Sequence, residues 1–101
     1  MNLVKSSGAV GLAIRAGKCV QGADATERAV RAGKAKLVLL DPAASENMQK
    51  DTENLCAYYH CPLVRLPEKG WLEQVTGAAN RKVLAFTDAG FAKMILKYTE
   101  E

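Results

Sequence analysis

Apolar residues in this chain fall into short uninterrupted runs, separated by segments in which they recur at helical spacing. Four runs predict strands, at about residues 18–21, 37–40, 63–66 and 82–86. The other segments predict five helices, at about residues 2–15, 23–32, between 45 and 60, at 67–76 and from 88 onward. Strands that alternate with helices predict an α/β fold, a three-layer α/β/α sandwich around a four-stranded sheet that is mixed or mainly parallel.

Cap and turn residues support these boundaries. Ser45 and Asp88 are N-cap candidates for the third and fifth helices, and Gly33 is a stop for the second. The fourth helix is predicted to begin at Pro67, because proline is favoured in a first turn. The continuous run at 37–40 is typical of a strand buried on both faces.

Apolar stripes indicate which helix faces are buried. The stripe of the third helix is expected to belong to the core and not to a binding groove; it comprises Met48, Thr52, Leu55, Cys56 and Tyr59. The helical spacing of Phe91 with Ile95 favours core packing, and the alternative is that its aromatic ring stacks on a ligand.

Composition narrows the class of protein. The 101 residues are 49% hydrophobic, which fits one globular domain over residues 1–101. No apolar run approaches the roughly 20 residues of a membrane helix. Polar residues and glycines interrupt the N-terminal segment, which argues against a signal peptide. The three cysteines are an odd number without framework spacing, which favours reduced thiols. These features predict a cytoplasmic protein.

Charge is unevenly distributed, although the net charge is only +3. Residues 1–40 contain seven basic and two acidic residues, whereas the rest of the chain contains seven basic and nine acidic ones. The seven are Lys5, Arg15, Lys18, Arg28, Arg31, Lys34 and Lys36. This asymmetry predicts a surface that faces a polyanion.

The helix that follows Gly22 is the candidate for that surface. A helix start presents unpaired backbone N–H groups and the positive end of the helix dipole, an arrangement that suits phosphate. Gly22 itself is either a point of close approach to a ligand or a turn residue with positive φ. Asp24 is ambiguous between base recognition and stabilisation of the helix dipole.

Several segments in order resemble one known family. They are Gly11–Lys18, Gly22–Leu40, Cys56–Pro62 and Ala85–Ala92. Together they are similar to the kink-turn-binding ribosomal-protein superfamily of archaea and eukaryotes, and most of all to its bacterial YlxQ-like branch. The resemblance implies RNA binding without catalysis or cofactor, at the sharp bend of a kink-turn flanked by sheared G·A pairs in ribosomal or other non-coding RNA. The ribosome is therefore a candidate partner, and neither DNA nor a membrane is expected.

The resemblance also implies the binding residues. Gly22, Ala23, Asp24 and Ala25 are expected to approach base edges, Arg28 and Arg31 to neutralise phosphates, and Lys34 and Lys36 to broaden the basic face. A second loop, Phe86–Phe91, is expected to close over the bend through Thr87, Asp88, Ala89 and Gly90.

The helix start departs from the family pattern Gly-x-Asn-Glu-x-x-Lys. Asp24 replaces the asparagine, Ala25 the glutamate and Arg28 the lysine. A carboxylate accepts hydrogen bonds from guanine but cannot donate, so readout of the G·A pairs is expected to be altered.

Two other functions remain open, namely a protein-interaction module on the same scaffold and a domain that binds a phosphorylated metabolite beside the Gly22 helix. Zinc binding or thiol catalysis by Cys56, His60 and Cys61 is disfavoured by their spacing. The chain also lacks a Walker A loop and a Gly-x-Gly-x-x-Gly motif.

Overall fold

The four predicted strands form one mixed sheet in the computed structural model, which describes residues 1–101. In chain order the elements are α1 (Leu3–Ala16), β1 (Cys19–Gln21), α2 (Ala23–Arg31), β2 (Leu37–Leu40), α3 (Glu46–Tyr58), β3 (Leu63–Arg65), α4 (Trp71–Thr76), β4 (Val83–Phe86) and α5 (Ala89–Thr99). The strand order is β1-β4-β2-β3. β4 pairs antiparallel with both β1 and β2, and β2 pairs parallel with β3. The mixed arrangement is therefore the one that the chain adopts.

Helices cover both faces of this sheet, which confirms the α/β/α sandwich. α1, α4 and α5 bury their apolar residues in one core cluster, whereas α2 and α3 contribute to a second cluster on the other face. None of the five helices combines the length and the apolar character that crossing a bilayer requires.

The two central strands, β2 and β4, contribute side chains to both clusters. Every residue of β2 and β4 is buried, and successive side chains alternate between the two faces. Leu37, Leu39, Leu84 and Phe86 enter the first cluster, and Val38, Leu40, Val83 and Ala85 enter the second. Complete burial stabilises the fold by about 1.5–3 kcal/mol for each large aliphatic side chain, so this strand pair anchors the molecule.

A buried carboxylate at the end of β2 fixes the start of α4. Asp41 is fully buried, and its Oδ1 accepts hydrogen bonds from the N–H groups of Ala43 (2.8 Å) and Gly70 (3.1 Å). Its Oδ2 accepts from the Leu72 N–H at 3.2 Å. The predicted start of α4 at Pro67 is therefore wrong. Gly70 adopts φ = 82° and α4 begins at Trp71, where Asp41 satisfies the first-turn amides.

Asp41→Asn is expected to lower the free energy of unfolding by about 1–3 kcal/mol, because one buried N–H would then face an amide group that cannot accept. Urea denaturation would measure the loss. Asp51→Asn, at an exposed position of α3, is the matched control and should change stability by less than about 0.5 kcal/mol. Equal denaturation midpoints for the two variants would contradict the role given to Asp41.

Candidate nucleic-acid interface

The start of α2 is open to solvent. Gly22 has φ = 91° and ψ = 164°, and its N–H donates to the Val83 carbonyl at 3.0 Å. The first bond into the helix is Thr26 N–H to the Gly22 carbonyl (3.0 Å), so the amides of residues 23–25 have no helical acceptor. Ala23 and Asp24 are exposed, and Ala25 is half-buried. Three amide donors therefore lie at the positive end of the helix dipole, as the sequence predicted.

Arg81 lies directly against this helix start, and sequence reasoning missed it. A Cβ atom placed on Gly22 would be only 2.7 Å from Arg81 Nη1. Arg81 is half-buried, its buried Nε has no hydrogen-bond partner, and it forms no ion pair. A cation held at the positive end of a helix without an acidic partner favours an anionic ligand.

Strand pairing explains the position of Arg81. Gln21 pairs with Leu84 in the antiparallel β1–β4 ladder, so residues just after β1 lie beside residues just before β4. The basic residues Arg81 and Lys82 precede β4 directly, which was the available signal. Only knowledge that β1 and β4 are neighbours would have connected them to Gly22.

The two predicted arginines of α2 differ in their contacts. Arg28 is exposed and forms no ion pair. Arg31 donates from Nε to Glu27 Oε2 (2.9 Å) and from Nη1 to the Tyr59 hydroxyl (3.3 Å). These hydrogen bonds, that to Glu27 first, raise the pKa of Arg31. Arg31 thus links α2 to α3, and its predicted phosphate contact stays a prediction.

The remaining predicted residues lie at the opposite end of the sheet. Thr87 N–H bonds to the Lys18 carbonyl (2.9 Å), and Lys36 N–H bonds to the Phe86 carbonyl (2.7 Å). The four residues of β4 separate Thr87 from the Gly22 end by about 13 Å. Thr87, Asp88, Ala89 and Gly90 therefore do not border the Gly22 end, and neither do Lys34 and Lys36. Their predicted RNA contacts stay a prediction. The loop beside Gly22 is the one before β4, at residues 77–82.

Asp88 has the capping role that was one of its two interpretations. Its Oδ2 accepts from the Phe91 N–H at 3.0 Å and begins α5. Phe91 is half-buried against the first core cluster, which confirms the core interpretation. Neither side chain is directed to the α2 start.

A cleft of about 650 Å³ lies between α2 and α3 and is lined by part of the α3 stripe. Cys56 is buried in the second core cluster and Met48 and Leu55 pack against it, which confirms the core prediction for these three. Met48 and Leu55 also line the cleft, together with Thr52 and Tyr59. The reason for the cleft lies on α2, whose facing residues include the small Ala23 and the charged Glu27, so the two helices do not close on each other. Thr26 also lines the cleft, and its buried Oγ1 has no partner.

The cysteines do not form a common centre. Cys19 packs against the first core cluster, whereas Cys56 and Cys61 contact the second, on the other face of the sheet. Burial raises the pKa of the Cys56 thiol to about 12, which makes it a poor nucleophile and metal ligand at neutral pH. No group of three or more His, Cys, Asp or Glu side chains is arranged to hold a metal ion.

The amino-acid sequence is similar to one known protein family and to two named relatives. Residues 5–96 match the Ribosomal protein L7Ae/L30e/S12e/Gadd45 family. The chain is 39% identical over 87 residues to the RNA-binding protein YlxQ of Bacillus subtilis (strain 168), a match that covers 86% of this chain and 87% of that relative. It is 38% identical over 92 residues to the RNA-binding protein YlxQ of Enterococcus faecium, with 91% and 88% covered.

One solved structure, of a protein with unknown function from Bacillus halodurans C, superposes with a TM-score of 0.88 at 28% identity. The superposition covers 96% of this chain and 98% of that one. The two chains therefore share their overall architecture.

Gly22→Ala is expected to lower the free energy of unfolding by about 1–3 kcal/mol, because φ = 91° with ψ = 164° is a region used almost only by glycine. Gly8→Ala is the control, and it is expected to change the free energy of unfolding in the opposite direction. Gly8 lies inside α1, and no heavy atom lies within 4 Å of the position that a Cβ would take, so alanine there should stabilise by about 0.5–1 kcal/mol. Thermal unfolding of both variants measures the difference, and a wild-type midpoint for Gly22→Ala would refute the conformational requirement.

Proposed function

This chain belongs to the ribosomal protein L7Ae/L30e/S12e/Gadd45 family, and on that premise we propose that it binds structured RNA of the kink-turn type at the start of α2. The proposed activity is binding without turnover, in the cytoplasm, on ribosomal or another non-coding RNA. The names of the two YlxQ relatives support RNA as the ligand.

The observation that carries the proposal is the Arg81 guanidinium against Gly22 at an open helix start. The amides of residues 23–25 and this cation all face the same region, which is suited to a phosphate or to the acceptor edge of a base. Gly22, Ala23 and Ala25 have little or no side chain, so an RNA backbone can approach the protein backbone closely. The helix start is therefore both electropositive and sterically open.

The polar residues would have different roles within the proposed interface. Arg28 and Arg81 would neutralise phosphates near the helix start, since neither is paired with an acid. Asp24 is exposed and accepts hydrogen bonds, so it would meet guanine amino or imino groups. Lys82 Nζ forms an ion pair with Glu73 Oε1 at 3.3 Å, so Lys82 contributes less unpaired positive charge to the interface. The loop at residues 77–82, which borders Gly22, would supply the contacts beside the helix start.

A binding titration tests the proposal. Wild-type protein is titrated against a kink-turn RNA with tandem sheared G·A pairs and against a continuous duplex of equal length, at one salt concentration. The kink-turn should bind at least about tenfold more tightly. Arg81→Gln should weaken kink-turn binding about tenfold, because it removes a cation from the helix start. Lys50→Gln, an exposed change on α3, should alter it less than about twofold.

Equal and weak binding of both RNAs would refute the proposal and favour the protein-interaction module. Melting curves of the variants show that a lost affinity is not lost folding. Tight kink-turn binding that Arg81→Gln leaves unchanged would place the RNA elsewhere on the surface.

A double substitution tests the altered base readout. Asp24→Asn with Ala25→Glu restores the family's amide and carboxylate, and each good base contact contributes about 1–3 kcal/mol. The double variant is therefore expected to bind the kink-turn RNA at least about fivefold more tightly. Asp51→Asn with Ala57→Glu makes the same change of charge at exposed positions of α3 and is the control. Unchanged or weaker binding by the first variant would mean that this chain reads its target through other contacts.

A further inference from the structure

Four cations from two segments gather at the end of the sheet opposite the α2 start. Lys18 and Lys36 flank Thr87, the residue after β4: Thr87 N–H donates to the Lys18 carbonyl at 2.9 Å, and Lys36 N–H donates to the Phe86 carbonyl at 2.7 Å. Two strand spacings, about 10 Å, therefore separate Lys18 from Lys36. The backbone N–H of Lys34 donates to the Ala29 carbonyl at 2.9 Å, which holds Lys34 beside the end of α2. Arg15 lies in the last turn of α1, just before Lys18, and we call these four residues the basic pole.

The basic pole is not neutralised within the chain. All four side chains belong to exposed residues, and none takes part in an ion pair. The segments that form this end of the sheet are residues 15–18, 32–36, 59–62 and 87–90, and Asp88 is their one acidic residue. The Asp88 carboxylate is already engaged as the cap of α5. Four like charges held together without counter-charges attract an external polyanion.

The basic pole is electrostatically separate from the α2 start. The nine residues of α2 run from one to the other and span about 14 Å. This separation exceeds the Debye length of about 8 Å at physiological salt, so a phosphate held at Gly22 does little to neutralise the lysines at the far end. A ligand at the α2 start therefore leaves the basic pole available for a second anion.

The chemistry of the basic pole fits a phosphate backbone better than a protein surface. Lysine is depleted in the cores of protein–protein interfaces, which are built on aromatic and apolar groups, and it is a common phosphate contact. The exposed Ala89 and Gly90 at the start of α5 leave backbone accessible beside the lysines.

We propose that the basic pole binds the phosphate backbone of a second RNA segment, without sequence preference, while the α2 start holds the first. This inference rests on the proposed function, because it takes RNA as the partner. The protein would then bridge two parts of one folded RNA, or two RNA helices, along the axis of α2.

Charge-removal variants test the proposal. Lys18→Gln with Lys36→Gln removes two charges from the basic pole, and Lys50→Gln with Lys97→Gln removes two exposed, unpaired charges elsewhere. Each protein is titrated with a long-armed kink-turn RNA and with a continuous duplex of equal length, from about 50 to 200 mM salt. The first variant should weaken both complexes at least about fivefold and lower the slope of log Kd against log salt by about two. The control should change neither quantity appreciably.

The outcomes separate the two proposals. If the basic-pole variant matches the control in Kd and slope, the basic pole does not bind RNA, whatever the kink-turn preference. If wild-type protein binds both RNAs equally but the basic-pole variant still weakens duplex binding, the kink-turn proposal fails and the basic-pole proposal stands. Failure of wild-type protein to bind either RNA at about 50 mM salt overturns both. Melting curves confirm that all variants are folded.

Discussion

The antiparallel pairing of β4 with β1 is the constraint on which the arrangement of this surface depends. Because Cys19 lies opposite Phe86 and Gln21 opposite Leu84, the two ends of β4 meet the two ends of β1. One end brings Arg81 against Gly22, and the other brings Thr87 beside Lys18. A shift of one residue would turn the buried side chains of β4 to the wrong faces, so the core that fixes the register also fixes the composition of both ends.

Burial of β2, β4 and Asp41 makes the framework that carries this surface rigid. The all-apolar β2 and β4 contribute to two core clusters at once. Asp41 connects the end of β2 to the start of α4 through two backbone donors, those of Gly70 and Leu72. The loop at residues 77–82 is thereby anchored at both ends, by α4 and by β4. A ligand-binding loop carried on rigid elements needs less ordering when the ligand arrives.

The surface charge is organised by what each cation is paired with. Lys5, Arg31, Arg65 and Lys82 each contact an acidic side chain, whereas Arg28, Arg81 and the basic pole do not. The N-terminal excess of positive charge predicted a polyanion-facing surface, but the fold divides that excess along α2. The result is two electropositive ends joined by a helix whose flank, with Glu27 and Arg31, is internally paired and borders an open cleft.

The sequence by itself determined the features that depend on neighbouring residues. The four strands, the caps Ser45 and Asp88, the doubly buried run at residues 37–40 and the open helix start after Gly22 all follow from local spacing and turn chemistry, and the family resemblance could be seen there too. Tertiary structure alone decided the contacts between distant segments: Arg81 at Gly22, Asp41 at the start of α4, the cleft beside the α3 stripe and the separation of Thr87–Gly90 from the α2 start. Local patterns contain no information about which strand pairs with which, and each of these features is set by a strand pairing or helix packing between residues far apart in the chain.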